Sequence, residues 1–122
     1  MTEHDDSLRV AAVSLDCAEP GELAAFYRDL LRGELLWQNA NSAGVRVPGA
    51  TLVAQRVDPY RRPVWPGASV VHLDLSGAEI ETAVRRALEL GAVEVDPQPD
   101  PRWRVLLDPA GHPFCITPFA PD

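Results

Sequence analysis

Cysteine is scarce in this 122-residue chain. Cys17 and Cys115 are the only two, too few for a disulfide framework, so a reducing cytoplasm is the expected setting. No apolar run approaches the roughly 18 residues that cross a bilayer, and no secretory hydrophobic region follows Met1. Positive charge is also short. Eleven basic residues against eighteen acidic ones leave a net charge of −7, which argues against nucleic acid and an anionic membrane as partners. The acidic balance serves solubility and would also favour a cationic ligand. The chain has no phosphate-cradling glycine loop, no Cys-x-x-Cys pair, no Ser-His-Asp order and no basic aromatic stripe. What remains, 46% apolar and 24% charged, is the composition of one globular domain, large enough to bury about two-thirds of its unfolded surface.

Residues 1–7, His4 among them, are polar and patternless and read as a disordered tail. From Leu8 to Cys17 the residues alternate as a strand: Ala11, Val13, Leu15 and Cys17 on one face, Val10, Ala12, Ser14 and Asp16 on the other. Pro20 suits a first helical turn, and Leu23, Phe26, Tyr27, Leu30 and Leu31 follow at helical spacing until Gly33. Short strands are expected at Leu35–Asn39, Val45–Val47 and Thr51–Val57, with a tight turn at Pro48-Gly49. Residues 58–69 are proline-rich and read as a linker. Val70–Leu75 alternates again, Val71, Leu73 and Leu75 against Val70, His72 and Asp74. Ser76 and Glu79 are spaced as a capping box, ahead of a stripe of Ile80, Ala83, Val84, Ala87 and Leu88 that Gly91 closes. Val93–Val95 is a further strand. The chain ends in a hairpin from Trp103 to Thr117, turning at Asp108-Pro109-Ala110-Gly111.

Displacing the sequence by 58 positions overlays one half on the other. Leu15 meets Leu73, Asp16 meets Asp74, Ala25 meets Ala83, Arg28 meets Arg86, Leu30 meets Leu88 and Gly33 meets Gly91; the same shift pairs Arg46 with Arg104. A fixed offset of strand, helix stripe and helix stop marks two copies of one β-α-β-β-β unit. A lone copy would leave one sheet face exposed, so the fold class is α+β: two tandem βαβββ modules forming a curved eight-stranded sheet with both helices outside. One domain spans 8–122, with module one at 8–57, the linker at 58–69 and module two at 70–119.

The Asp108-Pro109-x-Gly111 turn and Phe26-Tyr27-Arg28-Asp29-Leu30-Leu31 together resemble the vicinal-oxygen-chelate superfamily, which includes glyoxalase I, extradiol dioxygenases and bleomycin-binding resistance proteins. The likeness runs from Leu8 to Phe119 and implies the same paired-module architecture. In metal-dependent members, four inward positions carry His or Glu. Carried over, they fall on His72 and Cys115 in module two, Gln55 in the last strand of module one, and Ser14 by the internal repeat or Ala12 by the family register. One imidazole, a thiol, an amide and a hydroxyl or methyl fall short of the three or four imidazole and carboxylate donors such centres use. No cofactor is therefore expected; a divalent metal (Zn, Fe, Mn or Ni) on His72, Gln55 and Cys115 is the alternative.

The remaining candidates are weighed against plainer roles. His72 is either a core histidine hydrogen-bonded to Asp74 or a carbonyl, or an imidazole that touches ligand and acts as a general acid or base. Cys115 could act as a nucleophile only with His72 beside it, and a buried thiol is usually inert. Asp16 and Asp74 look like a carboxylate pair but fit turn or cap roles at strand ends better. Trp37 and Trp103 suit sheet-edge packing, although Trp103 joins Trp65 as a stacking candidate, Trp65 because a linker residue can overhang a site. Arg61, in Tyr60-Arg61-Arg62, could hold an anionic group through its guanidinium. His112, beside the turn, is expected to be exposed. The leading expectation is a metal-independent binder of an aromatic or cationic small molecule, with drug binding as its sharper form, acting as a homodimer. A superfamily lyase, isomerase or dioxygenase, and a dimeric interaction module, are the alternatives.

Overall fold

A computed structural model describes residues 9–67 and 71–118. Its elements are β1 (Val13–Cys17), α1 (Pro20–Leu31), β2 (Glu34–Gln38), β3 (Ser42–Val47), β4 (Ala50–Arg56), β5 (Leu73–Ser76), α2 (Ile80–Glu89), β6 (Val93–Glu94), β7 (Arg104–Leu107) and β8 (Pro113–Thr117). The duplicated β-α-β-β-β order is thus the observed one. The strands form two four-stranded sheets, ordered β1-β4-β3-β2 and β5-β8-β7-β6, each with one parallel pair at the β1 or β5 edge. The single eight-stranded sheet of the sequence reading is replaced, among the described residues, by two separate ladders. No helix among them is long and apolar enough to cross a membrane.

Local chemistry explains where the helices begin and end. Pro20 occupies the first turn of α1, where its missing N–H costs nothing. The helix stops at Arg32, not at Gly33: Arg32 takes the left-handed conformation and the Gly33 N–H returns to the Arg28 carbonyl. The Ser76 capping box does not form. Ser76 is the last residue of β5, opposite Thr117, and the Gly77 N–H donates to the Thr117 carbonyl. The ladder takes the backbone that a cap would have needed, and α2 starts later, at Ile80, with no side-chain cap.

One apolar core joins the modules. Leu23, Phe26 and Tyr27 of α1 and Val84 and Ala87 of α2 lie buried with Val45, Leu52 and Ala54 of the first sheet and Leu106, Phe114 and Ile116 of the second. The Phe26 and Tyr27 rings stand at 5.9 and 6.2 Å from the Phe114 ring, across the module boundary. The strand alternation assigns Val13, Leu15, Cys17, Leu73 and Leu75 to this side, as expected. Ala11 and Val71, expected with them, are exposed because both strands begin later in the chain than the alternation suggested. Leu88, expected in the α2 stripe, is exposed as well.

A buried polar contact fastens the same junction. The Tyr27 hydroxyl donates to Asp108 Oδ2 at 2.7 Å, while Asp108 Oδ1 accepts the Ala110 and His112 N–H groups. Asp108 is only 1% exposed, so the carboxylate both builds the predicted hairpin turn and ties it to α1. Burial raises its pKa from the ordinary value, and the Tyr27 hydroxyl pulls it back. His112 is not free in solvent. Its Nε2 donates to the Asp16 carbonyl at 2.6 Å, and the Tyr60 hydroxyl donates to the Ala110 carbonyl beside it.

Candidate functional site

The faces of the two sheets that turn away from the shared core hold the candidate residues. Cross-strand pairing fixes which side chains share a face. Asp74 stands directly opposite Cys115 on β5 and β8, and Cys115 stands opposite Val105 on β7. His72, two residues before Asp74, falls on the same face by the strand period. Around them opens a cavity of about 430 Å³ lined by Trp65, His72, Asp74, Pro99, Trp103, Val105, Cys115 and Thr117. Val105 and Cys115 form its apolar floor; they are buried in one cluster with Val95, and Trp65 and Trp103 pack against that cluster.

The polar end of this cavity is a compact cluster. His72 Nε2 lies 3.3 Å from Asp74 Oδ1, an ion pair whenever the imidazole is protonated. One donor atom each from His72, Asp74 and Cys115 falls within 4.8 Å of the others. Burial pushes the Cys115 thiol up to about 11, helped by the charge and hydrogen bond of Asp74. The thiol is thus protonated near neutrality and not poised as a nucleophile. At the rim, the Arg102 guanidinium sits 5.1 Å from the centre of the Trp103 ring.

Of the residues singled out from sequence, the structure gathers His72, Cys115, Trp65 and Trp103 into this cavity. Ser14 and Gln55 are exposed on the corresponding face of the first sheet, where Gln55 Nε2 donates to the Asn41 carbonyl. They are not among the residues that line this cavity. Arg61 is exposed and outside the cavity. Its neighbour Arg62 donates to the Pro109 carbonyl at 2.7 Å, bracing the hairpin turn. Trp37 lies on edge strand β2, its ring over Gly44 and its indole N–H donating to Ser42 Oγ at 2.9 Å.

The sequence places Asp74 beside His72, as the structure has it, but not beside Cys115. The sequence reading favours a turn or cap role for it over a carboxylate pair; in the fold it contacts both His72 and Cys115. The signal was present in the alternation, which puts His72 and Asp74 on one face, but the register that sets Asp74 across from Cys115 is a property of the sheet. The Arg46–Arg104 match of the repeat also dissolves. Arg104 sits opposite Ile116 and pairs with Glu81 of α2 and with Glu94 on the helix side, whereas Arg46 sits opposite Thr51 on the other face, beside Glu34. The third strand of each module keeps a register of its own.

Fold and cavity together define a domain of paired βαβββ modules with an open, aromatic-walled face. Residues 12–117 match the family model described as a glyoxalase-like domain, and the chain belongs to that family, within the vicinal-oxygen-chelate or glyoxalase/bleomycin-resistance superfamily. None of the curated proteins matches. Among solved structures, it is similar to the fosfomycin resistance protein FosX from Listeria monocytogenes in complex with Mn(II) and 1S,2S-dihydroxypropylphosphonic acid (14% identity, 96% of this chain and 93% of that one, TM-score 0.70). It is also similar to a glyoxalase/bleomycin resistance protein/dioxygenase family enzyme from Burkholderia phytofirmans PsJN (17%, 87% and 94%, 0.67). A hypothetical protein of Staphylococcus aureus, SA1046, is a further likeness (16%, 89% and 96%, 0.65). At these identities the likeness is one of fold.

Proposed function

We propose that this glyoxalase-like domain binds a planar aromatic small molecule bearing a cationic or hydrogen-bond-donating edge, in the cavity of module two. The observation that carries the reading is the meeting of two indoles, Trp65 and Trp103, with one exposed carboxylate, Asp74, around an apolar floor. Indole faces stack on planar groups and attract cations, each such contact contributing about 0.5–2 kcal/mol. Asp74 and His72 then orient the polar edge. A mostly apolar hollow with a few convergent polar groups is what a small-molecule site requires. The superfamily's bleomycin-resistance branch favours drug sequestration as one form of this activity.

The cavity is open on the side away from the core. The equivalent face of the first sheet, with Ser14, Gln55 and Trp37, is the surface suited to cover it from a second copy, in a homodimer. Tryptophan fluorescence titrated with a panel of planar aromatic and cationic metabolites tests the binding. Saturable quenching is expected with at least one of them, and Trp65→Ala and Trp103→Ala should each weaken it roughly 2- to 30-fold. A panel without any saturable response, or binding indifferent to both substitutions, would sink the reading.

A further inference from the structure

We propose that the β6–β7 connection, residues 95–103, is a built wall of the module-two cavity, in which Gln98, Asp100 and Arg102 are positioning residues that hold the Trp103 ring ready for a planar ligand. This deepens the aromatic-binding reading above and rests on it. None of the three side chains lines the cavity, whereas their neighbours Pro99 and Trp103 do.

The segment has little backbone of its own to hold it. Pro97, Pro99 and Pro101 each fix a φ angle and remove an N–H donor, and the β6–β7 ladder stops where Glu94 faces Leu106. Side chains take over from there. The next rung is half made, the Val95 N–H donating to the Val105 carbonyl at 3.2 Å. The Gln98 carboxamide replaces the return bond: it accepts from the Val105 N–H at 2.8 Å and donates to the Val95 carbonyl at 2.9 Å. Its Nε2 also donates to the Val105 carbonyl at 2.9 Å, so the whole amide is used. Asp100 makes the second fastening. Its Oδ1 accepts from the Arg102 backbone N–H at 2.8 Å and from Nε at 3.0 Å, and its Oδ2 accepts from Nη2 at 2.9 Å. That fork stations the guanidinium 5.1 Å from the centre of the Trp103 ring, in a cation–π contact. The ring thus has two anchors, this cation and the buried cluster of Val95, Val105 and Cys115. A side chain already ordered in the free protein loses no further freedom when a ligand stacks on it. Ordering one on binding would otherwise cost roughly 2- to 13-fold in affinity.

Two experiments on the full chain test the wall. The first needs no ligand. With Trp37→Phe and Trp65→Phe in place, Trp103 is the one tryptophan left of three, and its anisotropy decay and acrylamide quenching report the mobility of the ring. Gln98→Met and Arg102→Met should each add a fast depolarising component and raise the quenching constant. Arg102→Lys, which keeps a cation beside Asp100, should recover most of the order. The second experiment titrates proflavine, a planar aromatic cation. Gln98→Met and Arg102→Met should weaken its binding roughly 2- to 13-fold when Trp103 is present. In a Trp103→Ala background they should change nothing, because a positioning residue acts only through the ring it positions. A role confined to fold stability would instead weaken binding alike in both backgrounds. Arg102 is exposed, so its variants remain informative if Gln98→Met does not fold. Equal losses with and without the Trp103 ring, proflavine binding indifferent to both substitutions, or unchanged Trp103 mobility in both variants would overturn the proposal. A parent chain that binds neither proflavine nor any member of the panel above, but whose Trp103 loosens in the variants, would count against the aromatic-ligand reading and leave the fastening of Trp103 supported.

Discussion

Tyr27→Phe removes one oxygen from the contact that ties α1 to the second module. The phenyl ring retains the edge contacts with Phe26 and Phe114, at 4.9 and 6.2 Å, so the packing volume is nearly unchanged. What is lost is the donor to Asp108 Oδ2 in a side chain 1% exposed. Leaving a buried acceptor unsatisfied costs about 1–3 kcal/mol, toward the upper end when it is charged. With a urea dependence of about 1.5 kcal/mol per molar, the unfolding midpoint should fall by roughly 0.5–2 M. The loss should also depend on pH. Asp108 is raised above its ordinary 3.8 by burial, and the Tyr27 hydroxyl lowers it. A carboxyl whose folded value lies above its unfolded one contributes most below the unfolded value, and that contribution is lost as pH rises through the folded value. Removing the hydroxyl raises the folded value further, so the penalty should be greater at neutral pH than below 3.8. Urea unfolding followed by far-UV circular dichroism at both pH values measures it. A variant as stable as the parent at neutral pH, or a penalty that grows on acidification, would refute the account of this junction.

Two further perturbations test other parts of the structure. Burial pushes the Cys17 and Cys115 thiols from 9.0 up to about 11, with neighbouring carboxylates adding to it; their stabilising contribution is therefore present below pH 9 and lost as pH rises toward 11. The urea midpoint should decline across that window, and thiol reagents should react far more slowly with the folded chain than with the urea-unfolded one. Gly44→Ala would place a Cβ 2.2 Å from the Trp37 ring, which must swing away and give up its bond to Ser42. A loss of about 1–3 kcal/mol is expected, together with a shift in tryptophan emission; an unchanged spectrum and midpoint would contradict the packing described.

Much of the architecture was legible because it follows from local period and duplication. Alternation in β1 and β5, the apolar stripes of α1 and α2, and the Asp108–Gly111 turn are properties of short stretches, and their recurrence at one offset identifies two modules. Helix boundaries were less legible, since Ser76 could serve either a cap or a ladder and only the position of Thr117 decides. The same limit applies to the site. His72 and Cys115 could be named from resemblance and Asp74 from its step of two along the strand, but only the β5–β8 register sets Asp74 opposite Cys115.

The residues alone determined that this chain would fold as paired βαβββ units and which side of each edge strand would face the helices, because side-chain period and burial are coupled along the chain itself. Tertiary structure decided the rest. It set Phe26 and Tyr27 against Phe114, drew both helix-bearing faces into one core, and left the two polar faces open on separate sheets. Those outcomes depend on contacts between residues far apart in sequence, for which no local pattern carries a signal.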